Sequence, residues 1–73
     1  MVIDLVITKT DDGFTAEVPS IKGCECWAAK EDEVTDKVLE LVSFYLNLPV
    51  EKIAVDRARR EGNKTINKLI FDK

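Results

Sequence analysis

The sequence predicts an α+β domain with a β-hairpin, a third short strand, one main helix and a final strand. Two runs of alternating apolar residues enclose an Asp-Asp-Gly turn, a longer segment repeats apolar residues at helical spacing, and the chain ends in a short apolar run. A chain of 73 residues supports one hydrophobic core, so residues 1–73 are expected to form a single domain.

The N-terminal part of the chain contains the first three predicted strands. The segment from Val2 to Thr8 is rich in β-branched residues, and Asp11 to Gly13 supplies residue types that tolerate the backbone of a tight turn. Phe14 to Val18 alternates again, so these two runs predict a β-hairpin. Pro19 cannot donate a hydrogen bond within a sheet and ends the second strand, and Cys24 to Ala29 predicts a third.

The main helix is predicted from Lys30 to Asn47, because apolar residues recur there at helical spacing and acidic residues occupy the first turn. Residues 50–60 fit either a short helix that begins at Pro49 or a strand, and we favour the helix. A Gly-Asn pair at 62–63 breaks the pattern, and Thr65 to Asp72 predicts the final strand.

Charge is unevenly distributed along the chain. The net charge is −3, but residues 1–51 contain four lysines and eleven acidic residues, whereas residues 52–73 contain seven basic and three acidic residues. An acidic body favours a basic partner and disfavours nonspecific binding of phosphates. The basic segment could contact the acidic body, another subunit or, as the less favoured alternative, nucleic acid. Alternatively, both charged regions are ordinary solvated surfaces. The residues of such a nucleic-acid contact would be Arg57, Arg59, Arg60, Lys64 and Lys68.

Several catalytic chemistries lack their residues in this sequence. Histidine, the commonest general base and metal ligand, is absent. Cys24 and Cys26 are too close together for an unstrained disulfide and too few for a structural zinc site. Asp4 is expected on the sheet face opposite the helix that carries Glu33 and Glu40, so these acids should not converge on metal ions. We therefore expect no enzymatic activity, no cofactor and no metal.

The expected compartment is the cytoplasm. Two cysteines that are predicted to remain reduced fit a reducing environment. No apolar run approaches the roughly 18–20 residues that span a bilayer. Asp4 precedes every basic residue, unlike the start of a secretory signal. We therefore expect no membrane interaction.

The sheet is expected to expose the face that the helix does not cover. This face would carry Val2, Val6 and Trp27 beside Asp4, Thr15, Glu17 and Glu25. Three apolar side chains on a small exposed sheet favour contact with a second molecule. Val2, Val6 and Trp27 are therefore candidate self-association residues of a homodimer or higher homo-oligomer. The alternatives are partial cover by the C-terminal segment and a simple scatter of exposed apolar residues.

A family resemblance adds to this interpretation. The run from Asp11 to Pro19 resembles the second strand of the HicB-like antitoxin domain, in which Asp-Gly-aromatic-Thr is followed by three residues and a proline. The Gly-Cys pair at 23–24 is similar to that family's Pro-Gly-Cys corner. The likeness covers residues 2–46, but Lys30 and the two alanines before it replace the family's usual helix cap. Similar positions within the helix are Glu33, Val34, Val38, Tyr45 and Leu46.

The resemblance implies a partial ribonuclease H-like fold. This fold has a three-stranded antiparallel meander, one main helix packed on one face, an optional second helix and a final strand parallel to the first. A crossover of this length allows a helix to pack back on the sheet. The core would contain Leu5, Ile7, Phe14, Val18, Val38, Leu41, Val42 and Tyr45.

The resemblance also implies a function. HicB-like antitoxins bind a small, basic, RNA-cleaving toxin of the HicA type, and an acidic surface of this chain would occlude the RNA-binding face of such a partner. The alternative is an orphan interaction domain without a toxin. Candidate contact residues, chosen by charge and expected exposure, are Glu17, Glu25, Trp27, Glu33, Asp36 and Glu40.

Overall fold

The computed structural model describes residues 1–72, and for residues 57 and 58 it describes the backbone but not the side chains. The α+β prediction is confirmed, and the first three strands, the main helix and the final strand lie within two residues of their predicted bounds. The elements are β1 (Val2–Thr10), β2 (Gly13–Glu17), β3 (Glu25–Ala28), α1 (Glu31–Leu46), a 3₁₀ helix (Val50–Lys52), β4 (Ala54–Glu61) and β5 (Lys64–Ile70).

The five strands form one sheet in the order β3-β2-β1-β5-β4, and all neighbouring strands are antiparallel. The hairpin β1–β2 closes at the predicted Asp-Asp-Gly turn, with Thr10 opposite Gly13. The hairpin β4–β5 closes at Gly62, whose φ of 57° is a backbone conformation that favours glycine. β1 is therefore the central strand, between β2 and β5, and the sheet ends in β3 on one side and β4 on the other.

Two predictions for the C-terminal part of the chain are wrong. Residues 50–60 form no α-helix, because a single 3₁₀ turn follows Pro49 and β4 occupies most of the remainder. A β-bulge between Arg57 and Arg59 interrupts the alternation of side chains and hides this strand in the sequence. The final strand is antiparallel to β1, not parallel. The crossover from β3 delivers β4 in the direction of β1, and the turn at Gly62 then reverses the chain.

Helix α1 is supported more strongly at its end than at its start. Lys30 forms no side-chain cap hydrogen bond, as its position in the sequence predicts. Three acidic residues in the first turn compensate, since they interact favourably with the positive end of the helix dipole. Asn47 ends the helix in a left-handed conformation, and the N–H of Leu48 donates to the carbonyl of Ser43 at 3.1 Å.

The core lies between α1 and the β2–β3 side of the sheet. Most predicted core residues are buried, whereas Phe14 and Leu41 are partly buried and pack against the core. Tyr45 is 49% exposed, so its predicted place in the core is wrong. The 16 residues of α1 span about 24 Å, but the four residues of β3 span only about 13 Å, so the last helical turn extends beyond the strand. The buried apolar residues are Leu5, Ile7, Ala16, Val18, Cys24, Ala28, Val34, Val38, Val42, Ile53, Leu69 and Phe71.

Candidate protein-binding surfaces

One face of the sheet lies opposite α1, and we call it the open face. Residues that lie directly opposite each other on neighbouring strands point to the same side of a sheet, so the register defines this face. All seven residues that the sequence assigns to it lie on it. The open face carries Val2, Asp4, Val6 and Thr8 of β1, Thr15 and Glu17 of β2, Glu25 and Trp27 of β3, Ala54, Asp56, Arg59 and Glu61 of β4, and Lys64, Ile66, Lys68 and Ile70 of β5.

Trp27 is a half-exposed aromatic residue that is fixed against the backbone. Its side chain is 46% exposed. A Cβ atom on Gly13 would lie only 2.8 Å from the ring, so the indole occupies the space above that glycine. The carbonyl oxygen of Trp27 also accepts a hydrogen bond from Lys37 Nζ at 3.4 Å. The indole therefore offers a large contact surface whose position is set in advance.

Glu17 and Glu25 form a pair of like charges beside this tryptophan. They lie directly opposite each other on β2 and β3, and both are exposed. Among the side chains that the structure describes, no cation pairs with either carboxylate. Like charges at opposite positions of an antiparallel pair destabilise a sheet by about 0.2–1 kcal/mol. We call Glu17, Glu25 and Trp27 the acidic–aromatic patch, and a shallow depression connects all three residues.

The predicted self-association residues share the open face but do not form one cluster. Val2 is 56% exposed and lies opposite Ile70, which is 41% exposed. Val6 lies opposite Ile66, and both are partly buried. Trp27 lies two strands away from β1, about 10 Å. The apolar pairs on β1 and β5 are therefore a separate surface, and sequence reasoning missed its two isoleucines because it did not place β5 beside β1 in this register.

The acidic residues of the helix lie on the other side of the molecule. Glu33, Asp36 and Glu40 are exposed on α1, whereas the acidic–aromatic patch is on the open face. The structure therefore does not bring the six candidate contact residues together. Asp36 instead belongs to a groove on the α1 side of the sheet.

The basic residues of β4 and β5 are divided between the two faces. Arg59, Lys64 and Lys68 lie on the open face, and Arg60 lies opposite Thr65 on the α1 side. Lys68 pairs with Asp4, and Arg59 pairs with Glu61 at 3.2 Å. Arg57 also takes an α1-side position by its register, but its side chain lies outside the described part of the chain. The described cations thus form no single basic surface.

A groove lies between the first turns of α1 and strands β4 and β5. It forms because α1 packs on β2 and β3 and leaves the other half of this face uncovered. Its volume is about 720 Å³. Asn67 is only 5% exposed, and its Oδ1 has no hydrogen-bond partner. The groove is lined by Ile7, Glu31, Asp32, Thr35, Asp36, Val55, Thr65 and Asn67.

Sequence reasoning missed this groove, although one signal was present. Thr65 and Asn67 are the inward-facing residues that precede Leu69 in β5, and both are at least 95% buried. Polar residues at inward positions of a strand need partners or cost stability. Two such residues in succession indicate a place where the apolar core ends.

The cysteines are free thiols. Burial raises the pKa of Cys24, and the neighbouring Cys26 raises it further. Burial also raises the pKa of Cys26, and Lys37 opposes this shift. The Sγ of Cys26 donates to the carbonyl oxygen of Val34 at 3.7 Å. Both sulfurs are therefore protonated at neutral pH and are not poised as thiolate nucleophiles.

The acidic residues that the sequence offers as possible metal ligands lie on different sides of the sheet. Asp4 lies on the open face with Lys68 as its partner, away from Glu33 and Glu40. Among residues 1–72, no three His, Cys, Asp or Glu side chains come close enough together to hold a metal ion. No helix in the same part of the chain is long and apolar enough to cross a membrane.

Comparison with known proteins shows a partial similarity to one curated protein. No family model matches the chain, and no solved structure matches it. The chain is similar to the UPF0150 protein of Archaeoglobus fulgidus, with 38% identity over 45 residues. The matched region is 60% of this chain and 65% of that protein, which is less than two thirds of either.

Proposed function

We propose that this chain is a non-enzymatic, HicB-like binding module that captures a small basic protein and occludes its RNA-binding face. The observation that carries the proposal is the acidic–aromatic patch, in which Glu17 and Glu25 lie opposite each other without a described cation. This arrangement costs stability in the free chain, and a basic partner would relieve that cost. A partner of the HicA type has the required charge.

Trp27 supplies the apolar anchor of the proposed interface. Tryptophan is among the residues most often found at the energetic centre of interfaces, and a ring already fixed over Gly13 loses little conformational freedom on binding. The two exposed carboxylates act mainly on the rate of association, because exposed charges steer an encounter and are screened by salt. The patch thus combines two carboxylates that speed association with an aromatic side chain that stabilises the complex.

The proposal assigns the contact to the open face and not to the helix. Glu33 and Glu40 are exposed on α1, which packs on the face of the sheet opposite the open face. Both acids carry the same charge as the patch residues and are equally exposed. They therefore provide a matched control for the contribution of charge alone.

The test is a titration of the chain with a purified HicA-like toxin at low and high salt. Trp27→Ala should weaken binding by about 30-fold or more, the loss of about 2 kcal/mol typical of an interface hot spot. Glu17→Gln with Glu25→Gln should slow association about tenfold at low salt and much less at high salt. Glu33→Gln with Glu40→Gln should behave like the unaltered chain.

An RNA-cleavage assay with the same toxin completes the test. The unaltered chain should inhibit cleavage in proportion to the fraction of toxin bound. Absence of binding, unchanged cleavage in the complex, or equal effects of the helix control and the patch variant would each contradict the proposal.

The apolar pairs on β1 and β5 favour a second role for the open face, in self-association. We infer that two copies pack their open faces together about a two-fold axis. The Val2–Ile70 and Val6–Ile66 pairs would supply the apolar contact. With the axis along the strands, acidic β2 and β3 of one copy would face basic β4 and β5 of the other. This dimer would cover the acidic–aromatic patch, so a toxin would have to displace the second copy.

The oligomeric state tests this role. The unaltered chain should sediment as a dimer, and Ile70→Lys should produce a monomer with unchanged circular dichroism. Val50→Lys is the control, since Val50 is also exposed, at 37%, but lies outside the sheet. A monomeric unaltered chain would refute self-association. It would not bear on the toxin-binding proposal, which the titration with the toxin tests separately.

A further inference from the structure

Strand β3 is an edge of the sheet, and its hydrogen-bond pattern fixes which of its backbone groups face outward. The N–H of Val18 donates to the carbonyl oxygen of Cys24 at 3.0 Å, so these two residues form a hydrogen-bonded pair between the two chain segments. Such pairs alternate along an antiparallel ladder with pairs that exchange no hydrogen bonds. Glu25 and Trp27 fall on the non-bonded positions. Their N–H and carbonyl groups therefore point away from β2, towards the outer edge of the sheet.

Half of these outward groups already have partners. The N–H of Glu25 donates to the carbonyl oxygen of Gly23 at 3.1 Å. The carbonyl oxygen of Trp27 accepts from Lys37 Nζ at 3.4 Å, so a lysine of α1 covers this part of the edge. Among the residues that the structure describes, the carbonyl oxygen of Glu25 and the N–H of Trp27 have no hydrogen-bond partner. A depression of about 480 Å³ lies along Glu25, Cys26 and Trp27, so one acceptor and one donor remain where another chain can reach them.

The positions of these two groups specify the direction of a strand that pairs with them. In an antiparallel partner strand, a residue exchanges both of its hydrogen bonds with one residue, and neither Glu25 nor Trp27 has both groups free. In a parallel partner strand, a residue donates to the residue before its neighbour and accepts from the residue after it. When Cys26 is that neighbour, the acceptor is Glu25 and the donor is Trp27. The free groups of β3 therefore match one residue of a parallel strand.

We propose that the edge of β3 binds an extended segment of a basic partner protein as a parallel strand. This inference rests on the proposed function, because it names the part of the partner that contacts the acidic–aromatic patch. In the bound state, one residue of the segment, which we call the central residue, donates its N–H to the carbonyl oxygen of Glu25 and accepts from the N–H of Trp27. When a strand is added to a sheet edge in this way, backbone hydrogen bonds supply affinity and alternate side chains supply specificity.

The alternation of side chains defines the sequence that the segment needs. Neighbours across a sheet point to the same side, so the residue before the central one lies beside Glu25 and the residue after it lies beside Trp27. The first is basic, because Glu17 and Glu25 carry like charges without a described cation. The second is apolar, because the indole is half-exposed. The central residue lies beside Cys26 on the α1 side and is small and uncharged, so the segment has the order basic, small, apolar from its N-terminus.

Short peptides with blocked ends test the direction and the register of pairing. The ¹⁵N-labelled chain is titrated by NMR with the peptide Thr-Lys-Thr-Leu-Thr, which we call the forward peptide, and with the reversed peptide Thr-Leu-Thr-Lys-Thr of the same composition. The forward peptide should shift the backbone amide proton of Trp27 to lower field in a saturating manner. The reversed peptide places its side chains correctly only in the antiparallel direction, and it should bind about fivefold more weakly or less.

Methylated peptides locate the hydrogen bonds. N-methylation of the central threonine of the forward peptide removes the donor to Glu25 and should weaken binding about fivefold, as expected for one backbone hydrogen bond. N-methylation of the leucine is the matched control, because the N–H of that residue points away from β3. Lys37→Met frees the carbonyl oxygen of Trp27, which only an antiparallel partner uses. It should therefore affect the forward peptide no more than Lys30→Met, which removes the same charge from another exposed lysine.

The outcomes separate this inference from the proposed function. Absence of a saturating shift at Trp27, equal affinity of the forward and reversed peptides, or equal effects of the two methylations would overturn the parallel strand. In a complex with a HicA-like toxin, hydrogen exchange at the amide of Trp27 should slow about tenfold, because this amide gains a partner. A toxin that binds but leaves this exchange rate unchanged would overturn the inference and leave the proposed function standing. Peptide binding as expected without any binding of toxin would refute the proposed function alone.

Discussion

Replacing Gly13 by alanine tests the packing that holds Trp27 in place. An added Cβ would lie 2.5 Å from the carbonyl oxygen of Ala28 and 2.8 and 3.0 Å from two ring atoms of Trp27. The oxygen belongs to the backbone of β3 and cannot rotate away. Strands β2 and β3 must therefore separate, or the indole must leave its position.

The expected loss of stability follows from these contacts. Overpacking of this kind costs about 1–3 kcal/mol. Alanine also restricts the unfolded chain more than glycine does, which offsets about 0.4–1 kcal/mol. The midpoints of these two ranges give a net loss of about 1.3 kcal/mol. Because each kcal/mol lowers the Tm of a domain this size by about 4–8 °C, the Tm should fall by about 5–10 °C.

Two measurements check this expectation. Thermal unfolding by circular dichroism gives the Tm, and fluorescence reports the environment of Trp27, because it is the single tryptophan of the chain. Its emission should shift to longer wavelength in Gly13→Ala. Gly62→Ala is the control. Its φ of 57° is unfavourable for alanine and should lower the Tm, but a Cβ at this position meets nothing within 4 Å, so the indole and its emission should be unaffected. A Gly13→Ala variant with unchanged Tm and emission would refute the reasoning.

Three further predictions concern charge and burial. Glu17→Gln with Glu25→Gln should raise the unfolding free energy by about 0.2–1 kcal/mol in urea at low salt, and the gain should shrink at high salt. Asn67→Leu should raise it by about 1–2 kcal/mol, because the variant removes a buried acceptor without a partner. The pKa of Cys24 is raised above its ordinary value of 9.0 in the folded chain, so folding favours the protonated thiol. Stability should be constant with respect to this group below about pH 9, fall as the pH rises further, and fall less in Cys24→Val.

The predictable part of the fold is the part with uninterrupted periodicity. The β1–β2 hairpin and α1 follow from alternation and helical spacing in segments without a competing pattern. The β4 strand does not follow from local periodicity, because its bulge at Arg57–Arg59 shifts the alternation by one residue. In addition, the proline before Val50 resembles the start of a helix. The pairing of β4 with β5 decides the outcome, and a long-range contact of this kind is not contained in a local pattern.

The candidate site was predictable in its residues but not in its grouping. Alternation alone places Glu17 and Trp27 on the open face, because the period of a strand is fixed. It cannot show that Glu25 lies directly opposite Glu17, which depends on register, or that Asp36 faces a groove, which depends on how far α1 extends over the sheet. Surface charges that look equivalent in the sequence are therefore divided between two sides of the molecule.

Strand order turns the uneven charge of the chain into an uneven charge of the sheet. Residues 54–70 contain five basic and two acidic residues, and they form β4 and β5 at one side of the sheet. The acidic residues of β2, β3 and α1 lie at the other side, and the Asp4–Lys68 pair joins the two regions. A basic partner is therefore attracted towards the β3 edge and repelled from the β4 edge. The same asymmetry opposes edge-to-edge pairing of two copies through like edges, β3 with β3 or β4 with β4, and favours the stacking of open faces about an axis along the strands, in which each acidic region meets a basic one.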